Sequence, residues 1–182
     1  MYLILAGIVA LLVLFVWGTY NRLVVLRNRV QEAWSGIDIQ LKRRTDLIPN
    51  LVSTVKGYAK HEKEVFENVT KARASMMKAE GVEETGKADT MLSSALKSLF
   101  AVAENYPQLK ANENFIQLQS ELSDTEDKIA YARQFYNSNV QALNTTVEQF
   151  PGNVLANWFG FKKSEYFETD AGDKKPVNVS FA

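Results

Sequence analysis

The single histidine, His61, is followed by Glu62 in the run KHEKEV. That pair opens the pattern H-E-x-x-H, in which two imidazoles one helical turn apart hold zinc and the glutamate acts as general base. The second imidazole belongs at residue 65, which is Val65, so the ligand pair is incomplete. Carboxylate-bridged di-metal bundles need Glu-x-x-His on two helices, and one histidine cannot supply both. With no cysteine there is neither thiolate chemistry nor a disulfide. The sequence also has no glycine-rich phosphate loop and no G-x-S-x-G elbow. No catalytic residue, metal or cofactor is expected.

Two charged clusters carry the remaining chemistry. Glu121, Asp124, Glu126 and Asp127 could gather around a cation, but carboxylates in such a run ordinarily form the solvated face of a helix. Lys42, Arg43 and Arg44 precede Asp46 and Pro49 in QLKRRTDLIPNLV. An enzyme built on Arg43, Arg44 and Asp46 is one use of this group. A junction between two helices uses every member of it. The cations meet the unsatisfied carbonyls that end one helix, Asp46 caps the next, and Pro49 falls in a first turn where its missing N–H is not needed. The rival is a single helix passing through Pro49. The junction is the expected arrangement.

The elements that must position these groups follow from apolar spacing. Leu23, Val30, Trp34, Ile37, Leu41 and Ile48 make one helical stripe, and Leu51, Val55, Tyr58, Val65, Val69, Ala72 and Met76 a second. The polar run EGVEETGKAD, with Gly81 and Gly86, then reads as a loop. Leu92, Leu96 and Leu99 form a shorter third stripe. The fourth runs Phe115, Leu118, Leu122, Ile129, Tyr136, Val140, Leu143, Val147, Phe150 and stops at Pro151-Gly152. Helices are therefore expected over 22–47, 47–79, 86–106 and 113–150. Short connections make such helices antiparallel neighbours, so the expected fold is all-α, an up-and-down four-helix bundle over 22–150. Only the last residues, Val177, Val179 and Phe181, alternate with period two, in an extended tail over 168–182.

Ahead of the bundle, MYLILAGIVALLVLFVWGTYN carries no charged side chain. About 20 apolar residues at a rise of ~1.5 Å match a hydrocarbon core of ~30 Å. With no basic start and no small-residue cleavage site, residues 1–21 read as a transmembrane anchor rather than a signal peptide. Trp17 and Tyr20 suit the headgroup level, and Arg22, Arg27 and Arg29 follow, so the N-terminus is expected outside and the bundle in the cytoplasm. A second interfacial element is expected in the aromatic segment 151–167, where Trp158, Phe159 and Phe161 precede Lys162 and Lys163. Burial of those rings against the bundle or a neighbouring subunit is the competing use. Lys+Arg and Asp+Glu balance at 21 each, which argues against a nucleic-acid partner.

The run QLKRRTDLIPNLVSTVKGYAKHEKEVFENVTKARA closely resembles the LemA family of bacterial membrane-anchored proteins. FAVAENYPQLKANENFIQLQSELSDTEDKIAYARQFYN and FPGNVLANWFGF followed by YFE resemble it too. Leu143 departs from the family pattern, in which an aromatic is usual before the following Asn. The resemblance implies a helical bundle behind a single span in the bacterial inner membrane, and brings no catalytic residues.

The expected function is a non-enzymatic membrane-anchored scaffold or adaptor, organising partners or self-assembling at the cytoplasmic face, with lipid, further copies of itself or a membrane protein as its partners. The alternative is an accessory or regulator of a membrane enzyme such as an envelope-stress protease.

Overall fold

The computed structural model describes residues 1–168. Its elements are helices: α1 (Tyr2–Tyr58), α2 (Lys63–Lys78), α3 (Gly81–Ala103), α4 (Pro107–Lys110), α5 (Glu113–Glu148) and α6 (Gly152–Trp158). Among the described residues there is no strand. The alternating tail at Val177, Val179 and Phe181 lies outside them. The described chain divides into two units, one of Met1–Ile37 with Tyr131–Tyr166, the other of Asp38–Ala130 with Phe167 and Glu168. Helices α1 and α5 contribute residues to both.

α1 contradicts the expected junction at Lys42, Arg43, Arg44, Asp46 and Pro49. It continues without a break through all five, and the chain first turns at Ala59–Glu62. Two physical facts make this feasible. The buried positions Leu41, Arg44, Ile48, Leu51 and Val55 keep a spacing of three and four residues straight across Pro49, so one helix holds them on one face. The second concerns the backbone. A proline inside a helix removes the N–H that residue i−4 would accept, here the carbonyl of Thr45. That carbonyl instead accepts a hydrogen bond of 2.9 Å from Nε of Arg73 on α2. The Thr45 hydroxyl in turn donates to the Lys42 carbonyl at 2.8 Å. Asp46 caps nothing, being an exposed residue in a helix interior.

The expected loop at Gly81–Gly86 is also corrected, because those residues are the first turns of α3. The chain reverses at Ala79 and Glu80, and Gly81 takes φ 77°, a left-handed conformation that other residues adopt at a cost. Glu83 and Glu84 then stand in the first turn, where carboxylates oppose the helix dipole favourably. The Glu80 amide donates to Oε2 of Glu84 at 3.2 Å, and Lys87 pairs with Glu83 at 2.6 Å. A run that reads as loop by polarity is thus a charged helix start.

α5 ends at Glu148, two residues short of the expectation, and Pro151 stands just before α6. The core of α1 begins at Leu23 and continues through Leu26, Val30, Ala33 and Ile37, whereas the preceding stretch has no buried residue. In α5 the buried stripe is Phe115, Leu122, Thr125, Ile129, Tyr136, Val140 and Leu143.

The proline bypass yields a prediction. Arg73→Ala should destabilise the chain by about 1–3 kcal/mol, the cost of a buried acceptor left unpaired. The loss should shrink in a Pro49→Ala background, because an alanine there restores the amide that the Thr45 carbonyl needs. Urea unfolding of the four members of this double-mutant cycle measures the coupling.

Candidate functional site

Two constellations gather side chains beyond what simple packing requires. The first lies in the unit Asp38–Ala130. Arg44 takes a stripe position on α1, three residues after Leu41 and four before Ile48, and its side chain is only 4% exposed. Asp89 takes the equivalent place on α3, in the series Thr85, Asp89, Leu92, Leu96, Leu99, and its side chain is 3% exposed. Nη1 of Arg44 donates to Oδ1 of Asp89 at 2.7 Å. Nη2 donates to Ser93 Oγ at 3.0 Å and lies 3.0 Å from Oε2 of Glu126 on α5. One planar guanidinium thus ties three helices together, using a fork of donors that a lysine does not possess. Burial lowers the pKa of this guanidinium from its ordinary value, and the charge of Glu126 opposes that shift. Thr125, fully buried in the α5 stripe, closes its own hydroxyl onto the Glu121 carbonyl at 2.7 Å.

The acidic run on α5 faces cations. Asp124 is 3.5 Å from Arg43 and 2.8 Å from Lys128, and the Lys128 hydrogen bond is the main cause that holds its carboxyl below the usual range. Lys42, like Arg43, is exposed. Of the five residues expected at a junction, only Arg44 belongs to the buried cluster. Arg43, Arg44 and Asp46 do not converge on one site: two point to different acidic partners, and Asp46 lies exposed near Met76 and Met77.

The second constellation lies in the other unit, where the chain after α5 returns to α1. Gly160, at φ 73°, ends α6, and the Phe161 amide donates to the Ala156 carbonyl at 2.9 Å. This reversal turns Phe161 inward. It is 8% exposed, with its ring 5.8 Å from that of Tyr20 and the Arg27 guanidinium over its face at 5.4 Å. Phe161 therefore cannot be an interfacial lipid contact as expected, since protein already covers it. The extended segment beyond it is pinned to α5. Asn144 donates to the Ser164 carbonyl and accepts from the Ser164 amide, both at 2.9 Å, and the Tyr136 hydroxyl donates to the Glu165 carbonyl at 2.9 Å. Burial raises the pKa of that phenol, with the Glu165 charge adding to the effect. Lys163 pairs with Glu148.

Trp158 stays outside this packing, and Phe159 joins it while remaining partly exposed. Their rings stack at 5.5 Å, and Phe159 meets Tyr20 edge-on at 4.9 Å. Together with Leu12, Val13, Val16, Trp17 and Tyr20 of α1 they line an open apolar groove of about 440 Å³. The structure thus brings Trp17, Tyr20, Trp158 and Phe159 to one place, while Arg22 is exposed on α1 just beyond.

Residues 33–181 match the model of the LemA family. This chain belongs to the LemA family. It is 29% identical to Magnetosome protein MamQ 2 of Paramagnetospirillum magneticum and, equally, to Magnetosome protein MamQ of Magnetospirillum gryphiswaldense. Both alignments cover 85% of this chain and 66% of the relative, so the chain spans just under two thirds of the length of those proteins. It is 26% identical to Protein LemA of Metamycoplasma hominis, over 90% of this chain and 75% of that one. With its long uncharged N-terminal stretch, this is a LemA-type membrane-associated protein. The LemA match includes Arg44, Asp89, Glu126 and the groove residues Trp158 and Phe159, and begins after the uncharged stretch.

Sequence patterning does not single out Arg73, Asp89, Ser93, Tyr136 or Asn144 as site residues. For Arg44 and Asp89 a signal exists: each interrupts an apolar stripe in phase with it. For Asn144 and Tyr136, whose partners lie 20 and 29 residues away, local patterning carries none.

The ionic cluster makes a prediction. Arg44→Ala should destabilise the chain by about 3–5 kcal/mol, because it strips a buried carboxylate of its guanidinium. Arg44→Lys should recover only part of that loss. The double variant Arg44→Met/Asp89→Leu should be more stable than Arg44→Ala, and thermal unfolding followed by circular dichroism ranks the set.

Proposed function

We propose that this protein is a non-enzymatic, single-pass membrane scaffold, with its helical units on the cytoplasmic side of a bacterial inner membrane. The observation that carries the reading is α1 itself. One helix bears an uncharged, apolar N-terminal stretch with no buried residue, then a buried stripe from Leu23 to Val55. An anchor that is also a core helix suits a module that holds partners at a surface. Its relatives' names, LemA and MamQ, denote no reaction.

The unit Asp38–Ala130 is best read as an antiparallel four-helix arrangement. Arg44, Asp89 and Glu126 join α1, α3 and α5, while the Arg73–Thr45 bond joins α2 to α1. Arg22, Arg27 and Arg29, just past the apolar stretch, support a cytoplasmic placement. Exposed apolar side chains on α5, among them Tyr131 and Phe135, offer a face for a second copy or a membrane-protein partner.

Because the chain has no native cysteine, a single reporter tests the orientation. Lys60→Cys, in the exposed turn after α1, should resist an impermeant maleimide in intact cells and react after lysis. Labelling from outside would reverse the orientation and remove every cytoplasmic partner. Sedimentation of the detergent-solubilised chain should show a species larger than one protomer, and a monomer at all concentrations would remove self-assembly from the reading.

A further inference from the structure

The groove beside Trp17 has a wall that water cannot be expected to wet. Leu12, Val13 and Val16 lie within the uncharged stretch of α1, and Leu12 to Tyr20 covers about 12 Å of helix at a rise of ~1.5 Å per residue. The opposite side of the groove is the tip of α6, Trp158 and Phe159. Leu12 and Trp158 line the same open groove, so if residues 1–21 span the bilayer, lipid reaches at least its Leu12 end.

Three further observations point the same way. From Gln149 to Phe161 the chain has no charged residue, while Glu148 and Lys162 flank it. Within α6, Leu155 and Ala156 are buried, whereas Val154 and Trp158, four residues apart on one face, are exposed, Trp158 by 76%. Phe150, just before α6, is exposed as well. An apolar outward face on a helix this short leaves much of its ring surface open to water, at a cost that lipid would remove. The packing of Phe161 under Tyr20 and Arg27 fixes where the tip points, so the wedge is held ready-made rather than formed on contact.

We propose that α6 is a membrane wedge: its face of Phe150, Val154 and Trp158 enters the leaflet from which α1 emerges, and the groove between Trp158–Phe159 and α1 holds a phospholipid acyl chain. Lys162 and Lys163, both exposed, stand at the headgroup level beyond it. The protein then contacts the bilayer twice, once by its span and once by a segment far along the sequence. The inference rests on the reading of residues 1–21 as a span, and the test separates the two.

The full chain is reconstituted in phosphatidylcholine and phosphatidylglycerol vesicles whose acyl chains carry bromine at a shallow or a deep position. A Trp17→Phe/Trp34→Phe variant keeps Trp158 as sole emitter, and a Trp34→Phe/Trp158→Phe variant keeps Trp17. Circular dichroism confirms that both retain the helix content of the parent. Trp158 should lose most of its emission to the shallow bromine and less to the deep one, and Trp17 should also be quenched. Quenching of Trp17 with none of Trp158 overturns the wedge and leaves the span intact. Quenching of neither overturns both.

Discussion

The carbonyl of Thr45 is the point on which α1 depends. Pro49 leaves it without an intrahelical donor, and a buried carbonyl without a donor is costly enough to favour breaking the helix there. Arg73 reaches across from α2 and supplies the missing bond at 2.9 Å. The helix can then continue to Tyr58, keeping Ile48, Leu51 and Val55 in phase with Leu41 and the residues before it. A junction at Asp46 would gain a cap of about 0.5–2 kcal/mol. It would also reset the phase of a stripe that already runs true, and would move Arg44 away from Asp89. Phase and the Arg73 bond together outweigh the cap.

This exchange explains what is legible in the sequence. The uncharged stretch, the helical class and the end of the fourth stripe near Pro151 follow from composition and period alone. The bypass of Pro49 does not, because its enabling donor lies 28 residues away on another helix. Polarity misleads in the same manner at Gly81, where a charged helix start reads as a loop, and at Arg44 and Asp89. Those two occupy core positions that an apolar filter skips. Counting the phase of the stripe, and asking which polar residues fall into it, finds both. Composition groups Phe161 with its neighbours Trp158 and Phe159 as a lipid contact, and the positive φ of Gly160 is what separates them.

The two constellations differ in what they specify. A guanidinium shared by Asp89, Ser93 and Glu126 ties three helices through directional bonds, and losing any one charged partner would strand a buried charge. The exposed pair Arg43–Asp124 adds little. In the other unit, aromatic contacts to Tyr20 and the Asn144 clamp hold the chain around α6 against α1 and α5, leaving Trp158 exposed beside Phe159. A LemA-type protein built in this manner presents both helical packing and an apolar margin from the same α1.

The most direct test of the account is the length of α1 across Pro49. Spin labels at the exposed positions Ile39 and Gly57, in the full chain held in lipid nanodiscs, should lie about 27 Å apart, the rise of a continuous helix over ~18 residues. A distance of roughly 10–15 Å, set by two antiparallel helices side by side, would mean that the chain turns at Asp46 and would contradict the account at its centre.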